Sequence, residues 1–219
     1  MTNVYSTPDK VARKWQLFRI GEEALEKEGW EVSRVPGSGK ASLRRIARNG
    51  ESKFVSIRTT QDTYIAFPRN PDDSAWVTLD VVDAVVAVSV DDSVNPRFAQ
   101  VHMIDGDEMR DRFDRSYAAR KAAGHSIPTG RGMWLGLYVP DLKEPPTQVG
   151  AGAGLDHPPI ARVPLKPEGS SDVEGVVGQS IKAAVEENVE PVLTIADARR
   201  RLAAAFDVDP TNVKISIEV

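Results

Sequence analysis

Lys53-Phe54-Val55-Ser56-Ile57-Arg58-Thr59-Thr60 decides how this chain folds. It reads as an extended run, and the two-residue period of a strand sends Ser56 and Arg58 to one face. Just before it, Asn49-Gly50 separates the runs Ser42–Arg48 and Lys53–Thr59, the pattern of a tight hairpin. Further back, Pro36-Gly37-Ser38-Gly39 marks a turn after the run Trp30–Val35. A helix is placed at about 8–28. Thr7 caps it, Pro8 suits its first turn, Val11, Trp15, Phe18 and Leu25 fall near one face, and Gly29 ends it.

Downstream, Thr63–Phe67 is a short extended run, and Val81–Val90 is apolar and valine-rich, as in a strand covered on both faces. Arg97–Ile104 reads as the next strand. Asp105 then caps a helix at about 106–123, with Met109, Phe113 and Tyr117 as its apolar stripe and Gly124 closing it. Met133–Val139 is a further strand, in which Trp134 alternates as a core residue would. The order predicts an α/β fold, a mixed sheet flanked by helices over residues 1–140.

Residues 141–171 hold six of the 15 prolines and four glycines, so a linker or extended arm is expected there. Residues 172–219 read as a small C-terminal α/β module. A capping box at Thr194-Ile195-Ala196-Asp197 opens a helix bearing Leu202 and Phe206, and Ile215, Ile217 and Val219 alternate as a strand. So small a unit must bury its apolar faces on the core or on another copy of the chain.

The 219 residues are 41% hydrophobic and 27% charged, enough for a packed core. Cysteine is absent, which excludes disulfides, thiolate metal sites and cysteine nucleophiles. No run is long and apolar enough for a membrane helix, and the charged N-terminus is unlike a secretory signal, so a cytoplasmic protein without membrane association is expected. The net charge of −4 conceals an asymmetry: residues 1–70 carry 13 Lys/Arg against 8 Asp/Glu, a balance of +5.

A helix ending in Glu-Gly-Trp, a strand, a hairpin, the 53–60 run, Trp76 and Val82-Asp83-Ala84-Val85-Val86 follow one another across residues 8–140. That layout resembles the restriction-endonuclease-like PD-(D/E)XK superfamily. The resemblance implies a central strand reading like V-E-V-K-T, whose acid binds Mg²⁺ and whose lysine orients the attacking water. Here Ser56 stands at the acid's place and Arg58 at the lysine's. The preceding strand, Ala41–Arg48, holds no acid. A hydroxyl binds Mg²⁺ poorly and a guanidinium cannot serve as a base, so the resemblance implies the fold without the catalytic set.

The expected function is therefore noncatalytic, with neither metal nor cofactor: binding DNA or RNA, or a protein partner through the C-terminal module. The binding residues would be Arg34, Lys40, Arg44, Arg45, Arg48, Lys53 and Arg58, against only Glu31 and Glu51 between residues 30 and 60. A second reading is an active Mg²⁺-dependent nuclease whose carboxylates have migrated to Glu51, Asp80 or Asp83. A third is a self-assembly module in which the tail strand pairs with another subunit of a homo-oligomer. Gly37-Ser38-Gly39-Lys40 lacks the spacing of a phosphate-binding loop. His102, His125 and His157 are too dispersed for a metal motif, and structural or surface roles are expected of them. The alternating charges of the second helix, Arg110, Arg112 and Arg115 among them, read as a solvated face.

Overall fold

The computed structural model describes residues 7–35 and 42–165, all within a unit spanning Met1–Ser171. The Gly37-Ser38-Gly39-Lys40 turn and the expected C-terminal module lie outside the described residues. The first helix, α1 (Pro8–Lys27), starts where expected. The Thr7 side chain accepts from the Lys10 N–H at 3.4 Å, Asp9 sits in the first turn and Lys27 in the last, each sign matching the helix dipole.

A meander follows: β1 (Glu31–Arg34), β2 (Leu43–Arg48) and β3 (Glu51–Thr60), all antiparallel. Asn49 and Gly50 both take positive φ, +52° and +83°, as a two-residue hairpin of the twisted-strand type requires. The chain then crosses over and returns as β5 (Ala84–Val90), parallel to β3 with Ser56 opposite Val85 and Arg58 opposite Ala87. Parallel neighbours need such a crossover. This one carries a short strand, β4 (Tyr64–Pro68), and a 3₁₀ turn over Leu79–Val81 in place of a long helix. Next come β6 (Phe98–Asp105), antiparallel to β5, and α2 (Gly106–Ala122), whose Asp105 cap accepts from the Asp107 and Glu108 N–H groups. The strand β7 (Gly132–Gly136) pairs with β4 as a separate two-stranded ribbon.

Residues 141–165 depart from the expected linker. A helical turn, α3 (Ala153–Asp156), is followed by β8 (Ala161–Pro164), which pairs antiparallel with β6 and completes a six-stranded mixed sheet in the order β1-β2-β3-β5-β6-β8. Ala151, Ala153 and Leu165 are buried. Proline and glycine suit this path. Pro164 lies on an edge strand, where a missing N–H breaks no ladder, and Gly150 and Gly152 take positive φ at turns.

The sheet separates two cores. On one face, Leu17, Ile20, Ala24 and Leu25 of α1 cover Ile46, Val55, Ile57, Val86, Val88 and Val101. On the other, Met109 and Phe113 of α2 and the ribbon residues Ile65, Phe67, Met133 and Leu135 cover Val85, Ala87 and Ile104. Every residue of β5 is buried, as its valine-rich sequence predicts. Among the described residues no helix is long and apolar enough to cross a membrane.

Candidate functional site

The period of two splits the basic segment between the two faces. Arg34 is opposite Arg44 and Ile46 is opposite Lys53, so these side chains share the α1 face, whereas Arg45, Ser56 and Arg58 share the other. The single basic surface expected over residues 34–58 is therefore not formed. Arg44 is buried against α1, paired with Glu22 at 2.6 Å and stacked 4.7 Å from the Phe18 ring centre. Arg48 lies over the Trp30 ring at 4.2 Å and donates to the Glu28 carbonyl. Lys53 pairs with Glu51 at 2.8 Å. Arg44 and Arg48 hold the hairpin to the helix and its C-terminal end, whereas Lys53 pairs within its own strand. Arg34 and Arg45 are exposed, Arg45 donating to Ser52 Oγ at 2.8 Å, and Lys40 lies outside the described residues.

Arg58 differs from all of these. It emerges from the middle strand between the sheet and the β4–β7 ribbon, its guanidinium carbon 4.2 Å from the centre of the Phe67 ring. It makes no ion pair with a described residue, and its Nε is buried without an acceptor. Burial pulls its pKa down to about 10, so it remains a cation at neutral pH. Ser56, two residues back on the same face, is fully buried, and its Oγ also has no partner. An uncompensated charge and an unused hydroxyl thus stand side by side over the second core. Buried polar groups are normally satisfied, so both stand out, and the half-buried Arg58 can still donate to a ligand that accepts hydrogen bonds.

The three acidic residues considered as migrated carboxylates serve the backbone or a neighbour. Asp83 Oδ2 accepts from the Phe54 N–H at 2.7 Å, Asp80 Oδ2 accepts from the Trp76 N–H at 2.6 Å, and Glu51 is held below its usual pKa by the hydrogen bond and charge of Lys53. Among the described residues, no three His, Asp or Glu side chains are grouped to hold a metal ion.

A polar network invisible in the sequence lies beside this site. Arg112, expected on a solvated helix face, is buried; it binds Glu108 at 2.8 Å, Asp156 at 2.5 Å and the Ala151 carbonyl at 2.6 Å. His157 meets Glu108 at 2.8 Å. Burial alone would push the Glu108 carboxyl up, but the bonds from His157 and Arg112 outweigh it and hold the pKa low. His102 donates through Nδ1 to the His157 carbonyl, 2.8 Å away, so its Nε2 accepts from the Tyr138 hydroxyl, also at 2.8 Å. Ser89 Oγ lies 2.5 Å from that hydroxyl. Hydrogen-bonded pairs separated by up to 55 positions converge here, and no local spacing announces them.

Trp134 is also displaced from its expected place. It is 53% exposed, while its neighbours Met133 and Leu135 are buried. Alternation correctly marks a two-faced strand there. Which face is inward depends on the ribbon's partner surface.

Compared with known protein families, curated proteins and solved structures, the chain matches none of them.

Proposed function

We propose that this chain is a noncatalytic, nuclease-like domain that binds nucleic acid through its phosphates at Arg58. The observation that carries this reading is Arg58: a cation on the middle strand of the sheet, without a carboxylate partner among the described residues, beside an unused buried hydroxyl. A phosphate oxygen supplies the acceptor that the guanidinium lacks, and the planar fork suits it. The same charge opposes the nuclease alternative, because a permanent cation disfavours a divalent cation at its side. The layout of helix, hairpin and middle strand supports a nuclease-like ancestry, with Ser56 and Arg58 at the places of the acid and lysine.

The test is anisotropy titration of labelled single-stranded and duplex DNA with the full chain. Log affinity is expected to fall with log salt at a slope of about −0.9 per phosphate contacted on duplex. Arg58→Met is expected to weaken binding whatever the base sequence, whereas Arg44→Met acts on stability instead. Absence of binding at low ionic strength would overturn the reading in favour of a protein partner. Plasmid cleavage in Mg²⁺ that is lost on Glu51→Ala or Asp83→Ala would establish the nuclease.

A further inference from the structure

The β4–β7 ribbon has a buried face and an open one. Ile65, Phe67, Met133 and Leu135 point into the second core, whereas Tyr64 and Trp134 are 41% and 53% exposed. Tyr64 pairs with Gly136 and Trp134 with Ala66, so the two aromatic residues occupy diagonal positions of one antiparallel face, roughly 7–8 Å apart along the backbone. Small residues leave room around both rings. A Cβ on Gly136 would stand 3.3 Å from the Tyr64 ring, and one on Gly132 would stand 3.8 Å from the Trp134 indole nitrogen. The indole N–H and the Tyr64 hydroxyl make no hydrogen bond with a described residue. An apolar core gains nothing from two large rings left in water, and the register of the ribbon keeps both on the open side.

The charge beside Trp134 is basic, whereas at the other ring Asp62 Oδ1 accepts from the Tyr64 N–H at 3.3 Å. Arg120 donates to the Trp134 carbonyl at 2.8 Å and to the Thr147 carbonyl at 3.3 Å, and its remaining contact is the Ser116 hydroxyl. Arg131, just before the ribbon strand, is exposed and makes no hydrogen bond or ion pair with the described residues. Two guanidiniums without carboxylate partners among the described residues therefore lie at β7, Arg120 on its edge and Arg131 just before its first residue.

We infer that the open face of this ribbon is a stacking platform for unpaired bases, with Trp134 and Tyr64 as the stacking rings and Arg131 and Arg120 facing the phosphates. The inference rests on the nucleic-acid reading above and narrows it to single strands. Exposed rings stack on any base whose face is free, and the bases of a duplex are already stacked on one another. Guanidiniums unpaired to carboxylates favour an anionic chain over a neutral sugar or an acidic-rimmed protein surface.

The experiment compares a labelled thymidine oligonucleotide with a duplex of equal length, titrated with the full chain at low salt. Trp134→Ala is expected to lower single-strand affinity roughly 5- to 150-fold while leaving the duplex affinity and the salt slope unchanged. Trp134→Phe, which retains a ring, is expected to recover most of that loss. Tyr64→Ala should give a smaller loss of the same kind. If Trp134→Ala leaves single-strand affinity intact, or reduces single-strand and duplex binding equally, the platform is overturned and phosphate binding at Arg58 stands. If the wild-type chain binds neither nucleic acid, both readings fall. A wild-type self-association abolished by Trp134→Ala, with binding unchanged, would instead show that a second copy of the chain covers the ribbon.

Discussion

The guanidinium of Arg58 lies over Phe67, 4.2 Å from the ring centre, and this cation–π contact takes the place of a counter-ion. Cation–π attraction and the remaining access to solvent keep the side chain charged, while its Nε forgoes an acceptor. Leaving the Nε without an acceptor costs stability.

Arg58→Met is accordingly expected to leave the melting temperature unchanged or raise it. Methionine fills a similar volume, and relief of an unsatisfied buried donor, about 1–3 kcal/mol, offsets the lost cation–π contact. Thermal unfolding monitored by circular dichroism measures this. A drop of several degrees would mean that Arg58 is a structural residue.

Arg112 is expected to behave in the opposite way. Arg112→Met leaves the Ala151 carbonyl without its donor and Glu108 with His157 alone, so stability should fall by about 2–4 kcal/mol, somewhat less than for a fully buried pair because Asp156 is half exposed. Denaturant midpoints give the loss. Faster amide exchange confined first to residues 150–157 would locate it.

The buried His102 makes stability dependent on pH. Burial, the largest influence, pulls its pKa below 6.5, and the bond to the His157 carbonyl only partly opposes this. The unfolded chain takes up a proton near pH 6.5, the folded chain only at lower pH. The contribution is therefore complete above pH 6.5 and is lost as pH falls from there towards the folded-state value. Melting temperature should decline between about pH 6.5 and 5, before the carboxylates titrate. His102→Gln should be less stable at neutral pH and show a flatter profile over that range.

Gly106 opens α2 directly against the backbone that enters β5. A Cβ there would stand 2.5 Å from the Val82 carbonyl oxygen and 2.9 Å from that of Asp83, both rigid neighbours. Gly106→Ala is expected to destabilise the fold by about 1–3 kcal/mol from the clash, against the roughly 1 kcal/mol that alanine gains within a helix. Urea denaturation decides between the two. A stabilised variant would mean that α2 shifts freely along the sheet.

Much of the architecture follows from local chemistry in the sequence. The Thr7 cap and Pro8 start α1, Asn49-Gly50 closes the hairpin, Asp105 starts α2, and the valine run of β5 is apolar because both its faces are covered. Each of these is determined by neighbours a few residues apart, where backbone conformation and side-chain period act directly. What lay beyond the sequence depends on distant partners. Arg44 and Arg112 look like ordinary surface cations until Glu22 and Asp156 come to meet them. Trp134 alternates like a core residue, and only the pairing of β7 with β4 decides that its face is the open one. The proline-rich stretch reads as a linker because edge strands carry weak periodicity, yet β6 leaves an edge for β8 to complete. Arg58 is the clearest case. The sequence places it on one face with Ser56, but its isolation from every described carboxylate arises from the crossover that lays Phe67 upon it, a contact between strands that no spacing encodes.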